Sequence, residues 1–174
     1  IIIGNDNANQ LLLNNGAGDG NPFDGVDALV LPGGDRYTAS IVAADINGDG
    51  RIDLVIGNMY GVNELILNNH DGLHANPFFG ADVLELPGGF RDTNSIVATD
   101  YDGDGAIDLI IANDEANQLL INNGGGAGDG NPFGDEDVLN LPGDPGITSS
   151  IVAADVNGDG YIDLVVGNVD GVKN

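Results

Sequence analysis

One short segment recurs at a fixed step along the chain. Ile41-Val42-Ala43-Ala44-Asp45 returns as Ile96-Val97-Ala98-Thr99-Asp100 and again as Ile151-Val152-Ala153-Ala154-Asp155, each time 55 residues on. Asn21-Pro22-Phe23, Asn76-Pro77-Phe78 and Asn131-Pro132-Phe133 keep the same step, as do Leu31-Pro32-Gly33, Leu86-Pro87-Gly88 and Leu141-Pro142-Gly143. A repeat this regular restricts the fold to architectures in which each unit stacks on its neighbours. Length changes fall only around Gly16–Gly20, His70–Ala75 and Gly124–Gly130, which read as surface loops.

Each unit reads as four short strands. The apolar run Ile41–Ala44 predicts an inner strand buried on both faces. Ile52–Gly57 and Glu64–Asn68 each follow a turn. In Asp82–Leu86, Leu84 and Leu86 fall on one face and Val83 and Glu85 on the other, before the stop at Pro87-Gly88. No window has the length and 3.6-residue spacing of a helix. The expected fold is therefore all-β, built of β-propeller-type blades of four antiparallel strands. Residues 1–40 then form a partial blade (strands two to four), 41–95 and 96–150 full blades, and 151–174 a partial blade (strands one and two). A propeller closes with roughly four to eight blades. The chain thus reads as a window of a longer protein, one share of an oligomeric ring, or a segment of an open polymer. Opening on Ile-Ile-Ile without Met, it reads as mature or excised.

Between strands one and two lies an acidic nine-residue loop, present three times. In the first copy Asp45, Asn47, Asp49 and Asp53 stand at positions 1, 3, 5 and 9. Asp100, Asp102, Asp104 and Asp108 take those places in the second, and Asp155, Asn157, Asp159 and Asp163 in the third. Calcium takes about six to eight oxygen ligands in a flexible arrangement, and short Asp and Asn side chains on a curled backbone suit it. Gly at position 6 permits the sharp turn. The position-7 carbonyls of Arg51, Ala106 and Tyr161 add a ligand each, and Ile52, Ile107 and Ile162 at position 8 are expected to anchor the loops to the core. An EF-hand is excluded, because position 12 is Ile56, Ile111 or Val166 rather than Glu. Magnesium demands a more rigid octahedron. Zinc is disfavoured by the lack of Cys and of a suitable His. One calcium ion per loop, three in all, is the expected complement.

The loop, followed by Leu54-Val55-Ile56-Gly57-Asn58 and then Asn63-Glu64-Leu65-Ile66-Leu67-Asn68-Asn69, resembles the FG-GAP/VCBS repeat family. That family includes the integrin alpha-chain head and many secreted microbial and algal proteins. The resemblance covers nearly the whole chain. It implies calcium-bearing propeller blades in an extracellular or cell-surface setting, with positions 1, 3, 5, 7 and 9 as ligands. Phe79-Gly80 and Phe133-Gly134 keep the Phe-Gly signature, whereas Asp24 follows Phe23.

Charge narrows the partners. Of 174 residues, 28 are acidic and 4 basic, for a net charge of −24. Nucleic acid is excluded, since its binding rests on Lys and Arg at phosphates. An anionic membrane surface is disfavoured for the same reason, and no apolar run approaches the roughly 18 residues of a spanning helix. Turns such as Asp19-Gly20 and Asp129-Gly130 are further calcium candidates. Phe23, Phe78 and Phe133 read as wedges between blades. The many Asn residues read as caps of turns and strand ends, with a ladder between units as the alternative. No Asn-x-Ser/Thr sequon is present. Thr38, Ser40, Thr93, Ser95, Thr148, Ser149 and Ser150 read as hydrogen-bonding the strand entry, with O-linked sugar as the alternative.

No enzyme is expected. His70 and His74 sit in one variable loop, and no nucleophile stands beside a base. The function expected is a calcium-stabilised extracellular structural or adhesive repeat protein. It would self-associate or join further repeats of its own chain, as a fibre or another repetitive surface structure. The alternative is a ligand-binding propeller, lectin-like or integrin-like, that takes a glycan or a protein. Against a repeated sugar site, Tyr37, Tyr60, Tyr101 and Tyr161 are out of register, and Trp and Arg-Gly-Asp are absent.

Overall fold

The computed structural model describes residues 1–16, 21–33, 36–70, 72–124, 130–143 and 146–169. Thirteen strands appear in chain order. They are β1 (Ile2–Ile3), β2 (Gln10–Leu11), β3 (Leu29–Val30), β4 (Tyr37–Ala44), β5 (Asp53–Met59), β6 (Glu64–Ile66), β7 (Val83–Glu85), β8 (Thr93–Thr99), β9 (Asp108–Asn113), β10 (Gln118–Leu120), β11 (Val138–Asn140), β12 (Thr148–Ala154) and β13 (Asp163–Asn168). Among the described residues the one helical element is a 3-10 turn at Asp135–Asp137. Two four-stranded antiparallel sheets, β4-β5-β6-β7 and β8-β9-β10-β11, are flanked by the three-stranded β1-β2-β3 and the two-stranded β12-β13. These are sheets of the propeller-blade type.

The cores lie between sheets, not within one. Side chains alternate across each strand, and here both faces are apolar. Val55, Leu65 and Leu86 point from one four-stranded sheet into a cluster with Ile96, Leu109, Ile111 and Leu120 of the next. From the same sheet Leu54, Ile56, Ile66 and Val83 point the other way, against Leu11, Leu29 and Leu31. A third cluster joins Ile110 and Leu119 to Ile151 and Leu164. The alternation in the fourth strand has this cause: Leu84 and Leu86 serve one junction and Val83 the other. Phe78 and Phe133 are buried at successive junctions, as wedges. Phe23 is only partly buried.

In the two four-stranded sheets the strand buried on both faces is the second, not the first. β5 and β9 are buried along almost their full length, whereas β4 is half exposed. The first strand is an edge strand of its sheet, so solvent reaches it from the unpaired side. It also starts earlier than the apolar run indicates, at Tyr37 and Thr93, because polar residues before a bulge extend the ladder. The bulge recurs at Thr38/Ser40, Thr93/Ser95 and Thr148/Ser150. It frees Ser40 Oγ to accept the Ile96 amide of the neighbouring sheet, at 3.1 Å.

That bulge also builds a buried relay between sheets. Asn63 Nδ2 donates to Thr93 Oγ1 at 3.0 Å, and Thr93 Oγ1 donates to Asn113 Oδ1 at 3.0 Å. One unit later Asn117 Nδ2 donates to Thr148 Oγ1, which donates to Asn168 Oδ1, again at 3.0 Å each. Asn58 and Asn113 meanwhile cap the turn after strand two, their backbone N–H groups donating to Asn63 Oδ1 and Asn117 Oδ1. The asparagines thus do both jobs, and Thr93 and Thr148 are buried strand-entry donors with no room for sugar. Thr93→Val should cost about 1–3 kcal/mol in urea unfolding, since it strands two buried amide groups, and Thr93→Ser should recover most of it. A loss below the error of the measurement would remove the relay from the forces that register the sheets.

Candidate metal centre

Each acidic loop is curled around its own side chains. The first carboxylate takes two or three amides: Asp45 Oδ1 and Oδ2 accept from Asp49 and Gly50, at 3.0 and 2.9 Å. Asp100 accepts from Gly103 and Gly105, and Asp155 from Gly158, Asp159 and Gly160. At position 3, Asn47, Asp102 and Asn157 all accept the amide of position 5. Asp49, Asp104 and Asp159 in turn accept the amides of Arg51, Ala106 and Tyr161. The curl requires left-handed backbone twice, at Gly48 (φ 74°) and Gly50 (φ 86°), and the other loops repeat it at both positions. Sequence reasoning assigned that need to position 6 alone.

Position 9 is the most buried member. Asp53 and Asp108 are fully buried at the start of strand two. Asp53 Oδ2 accepts the Ile46 amide at 3.0 Å, and Oδ1 accepts the Asn68 amide at 2.8 Å. Asp108 does the same with Tyr101 and Asn122, at 2.7 Å each. Asp163, partly buried, accepts from Val156 and Asn157. The ninth residue therefore ties the loop to the end of strand three, a role that its spacing does not reveal.

Three carboxylates converge in one loop. Ligand oxygens of Asp100, Asp102 and Asp108 lie within 4.8 Å of one another, and this is the one such group among the described residues. Asp104 stands outside that group. The other two loops carry an amide, Asn47 or Asn157, at the third position, so they offer fewer charges in the same hydrogen-bond pattern. In the first loop Arg51 Nη2 also pairs with Asp49 Oδ2 at 2.6 Å. The donor set is all oxygen and mostly anionic, which suits a hard divalent cation of the calcium type. Asp19, Gly20 and Asp129, the other candidate turns, lie outside the described residues apart from Gly130.

The position-8 anchor needs correction. Ile107 packs in the junction cluster with Ile46, but Ile52 is half exposed. Ile107 rests against Ile46 of the loop of the preceding unit. The buried anchor of the first loop is instead position 2, Ile46. Asn122 then bridges two loops: its amide N–H is held by Asp108, while its Nδ2 donates to the Ile46 carbonyl at 2.9 Å. A groove of about 640 Å³ opens between these loops.

Burial pushes the carboxyls of Asp53 and Asp108 above their ordinary value of 3.8, against the downward pull of the amides they accept, and Asp49 and Asp102 add to the rise. A raised folded-state value favours the folded chain below the unfolded pKa, and that stability is lost as pH rises through the folded value. In a chelator, stability should therefore climb as pH falls through the raised folded-state values toward the ordinary 3.8. Asp53→Asn with Asp108→Asn should flatten that slope in urea unfolding. An unchanged slope in the double variant would locate the pH dependence elsewhere.

The sheets and their curled loops define a repeat protein of propeller-blade type with oxygen-rich acidic loops. The chain belongs to the FG-GAP-like repeat family, whose profile matches residues 1–56, 45–110 and 100–166. It is also 27% identical over 176 residues to "Cartilage acidic protein 1" of Xenopus tropicalis. That alignment takes in 95% of this chain and 26% of the relative, so the chain spans about a quarter of that protein's length. Among the described residues no helix is long and apolar enough to cross a membrane.

Proposed function

We propose that the chain is a calcium-stabilised, extracellular or cell-surface repeat protein with a structural or adhesive role and no catalytic activity. The observation that carries this reading is the cation loop repeated in one hydrogen-bond pattern at successive junctions. Asp45, Asn47, Asp49 and Asp53, with the Arg51 carbonyl, would hold the first ion. The second would sit among Asp100, Asp102, Asp104, Asp108 and the Ala106 carbonyl, and the third among Asp155, Asn157, Asp159, Asp163 and the Tyr161 carbonyl. Extracellular calcium modules bind at about 10⁻⁴–10⁻³ M, so sites of that class fill outside the cell.

Self-association follows from the same repeat. Val55 is fully buried at an internal junction, while its counterpart Val165 is 53% exposed, alongside exposed Val152 and Val156. Ile1 and Ile3 are exposed at the other end of the array. Internal junctions join these two kinds of face, so a further unit, from this chain or another copy, fits each. A contact of that head-to-tail type gives a ring if it closes and a fibre if it does not. Electron microscopy of the native assembly in millimolar calcium tests the reading: filaments or extended arrays support it, and discrete monomers overturn the self-association. The second reading, a ligand-binding propeller, is favoured by one observation, an exposed tyrosine pair at the opposite end of the sheet from the metal loop.

A further inference from the structure

Among the described residues, the repeat is broken at a conformational cost in the turn after β5. Asn58 and Asn63 close this turn, as Asn5 with Asn9 and Asn113 with Asn117 close its counterparts, but here one residue more lies between them. The added length brings in Tyr60, whose φ of 61° makes it the one non-glycine in left-handed backbone among the described residues. A bulky residue is a genuine outlier there, and glycine would take the conformation freely. Packing does not demand the ring, which is 65% exposed.

The surroundings hold Tyr60 in that state. Its amide donates to Asp92 Oδ1 of the neighbouring sheet at 2.9 Å. The next residue, Gly61, forms a bridge with Arg91. A Cβ on Gly61 would lie 2.7 Å from Arg36 Nη1, so the Arg36 side chain runs directly across this backbone before pairing with Glu64 at 3.4 Å. The ring is thereby set against Tyr37, with centroids 6.3 Å apart and planes at 67°. Tyr37 is itself half exposed, and its repeat equivalents are Asp92 and Ile147. Two tyrosines that are out of register in sequence thus meet at the end of one ladder, where Tyr37 pairs with Met59.

We propose that Tyr37 and Tyr60 form a binding platform for a neutral, gluco-configured oligosaccharide. An edge-to-face pair leaves an aromatic face open, and the axial C–H groups of such a sugar present a matching apolar face. Asp92, whose Oδ1 holds the Tyr60 amide, and Arg36, which crosses Gly61 and pairs with Glu64, would offer a carboxylate oxygen and guanidinium N–H groups at this turn for hydroxyl groups. Recognition of this kind combines an apolar contact with a few placed polar groups. The net charge of −24 selects against sulfated and uronic glycans. The site deepens the second reading above and does not depend on the metal loops, which lie at the opposite end of the sheet.

The test uses intrinsic tyrosine fluorescence, which no tryptophan obscures. The whole chain is titrated with cellohexaose and with chitohexaose, in calcium and in EDTA at a temperature where both forms stay folded, with a hyaluronan hexasaccharide as the anionic comparison. Saturable binding of a neutral sugar, surviving chelation, is the expected result. Tyr60→Gly should weaken it at least tenfold while leaving the unfolding temperature unchanged or raised, because the strain is gone. Tyr37→Ala should weaken it likewise, and Phe79→Ala, an exposed aromatic at the opposite end of the sheet, should not. No binding of either neutral sugar, preference for the hyaluronan fragment, or binding indifferent to both tyrosine changes would overturn the proposal. Failure of the calcium reading would show separately, as an unfolding temperature that ignores EDTA.

Discussion

Chelation with EDTA should lower the unfolding temperature of the chain, and calcium in excess should restore it. A ligand that binds the folded state alone, at about 100 times its dissociation constant, stabilises by about 2.7 kcal/mol per site. For a chain of this size that corresponds to a shift of roughly 5–10 °C for each loop filled. The physical cause is on the loops themselves. Asp53 and Asp108 are buried carboxylates whose desolvation cost backbone amides offset only in part. A divalent cation among Asp100, Asp102 and Asp108 would neutralise the burial of Asp108, and one in the first loop that of Asp53. Magnesium at equal concentration should restore less, since it gives up its waters reluctantly. Calorimetric melts in EDTA, calcium and magnesium decide the matter, and identical melts in all three would sink the calcium assignment.

Leu120→Ala should cost about 2–5 kcal/mol in urea unfolding. Leu120 is fully buried in the cluster that joins the two four-stranded sheets. Truncating it leaves a cavity whose walls belong to two different sheets, so both lose contacts. Val165→Ala, on the exposed face of the last sheet, should change the stability of the isolated chain by less than about 0.5 kcal/mol. If Leu120→Ala were as mild as Val165→Ala, the junctions would not be the source of stability.

The repeat made the fold readable. A 55-residue step, period-two alternation and Asp-Gly turns are local signals, and they placed four strands per unit and the curled loops between the first two. Features that depend on a neighbouring sheet were not readable. Ile52 and Ile107 have identical local sequence roles, yet one is exposed and the other packs against Ile46 of a neighbouring unit's loop, a contact that no local pattern encodes. The apolar run at Ile41 matched a doubly buried strand, whereas edge position left it half exposed. At position 9 the acid looked like a ligand only, and the amides of Ile46 and Asn68 that it gathers lie seven and fifteen residues away. Tyr37 and Tyr60 looked unrelated because a repeat comparison aligns equivalent positions, while strand pairing joins non-equivalent ones.

Placing the cores between sheets also sets how such a chain can change length. Removing one whole repeat brings a forward face against a rear face of the same design, and the new junction resembles the old. Removing half a repeat splits a sheet and leaves two faces that were never matched. Viable insertions and deletions in this array should therefore come in whole repeats, with shorter length changes confined to the variable surface loops. The length of the array is in effect counted in junctions.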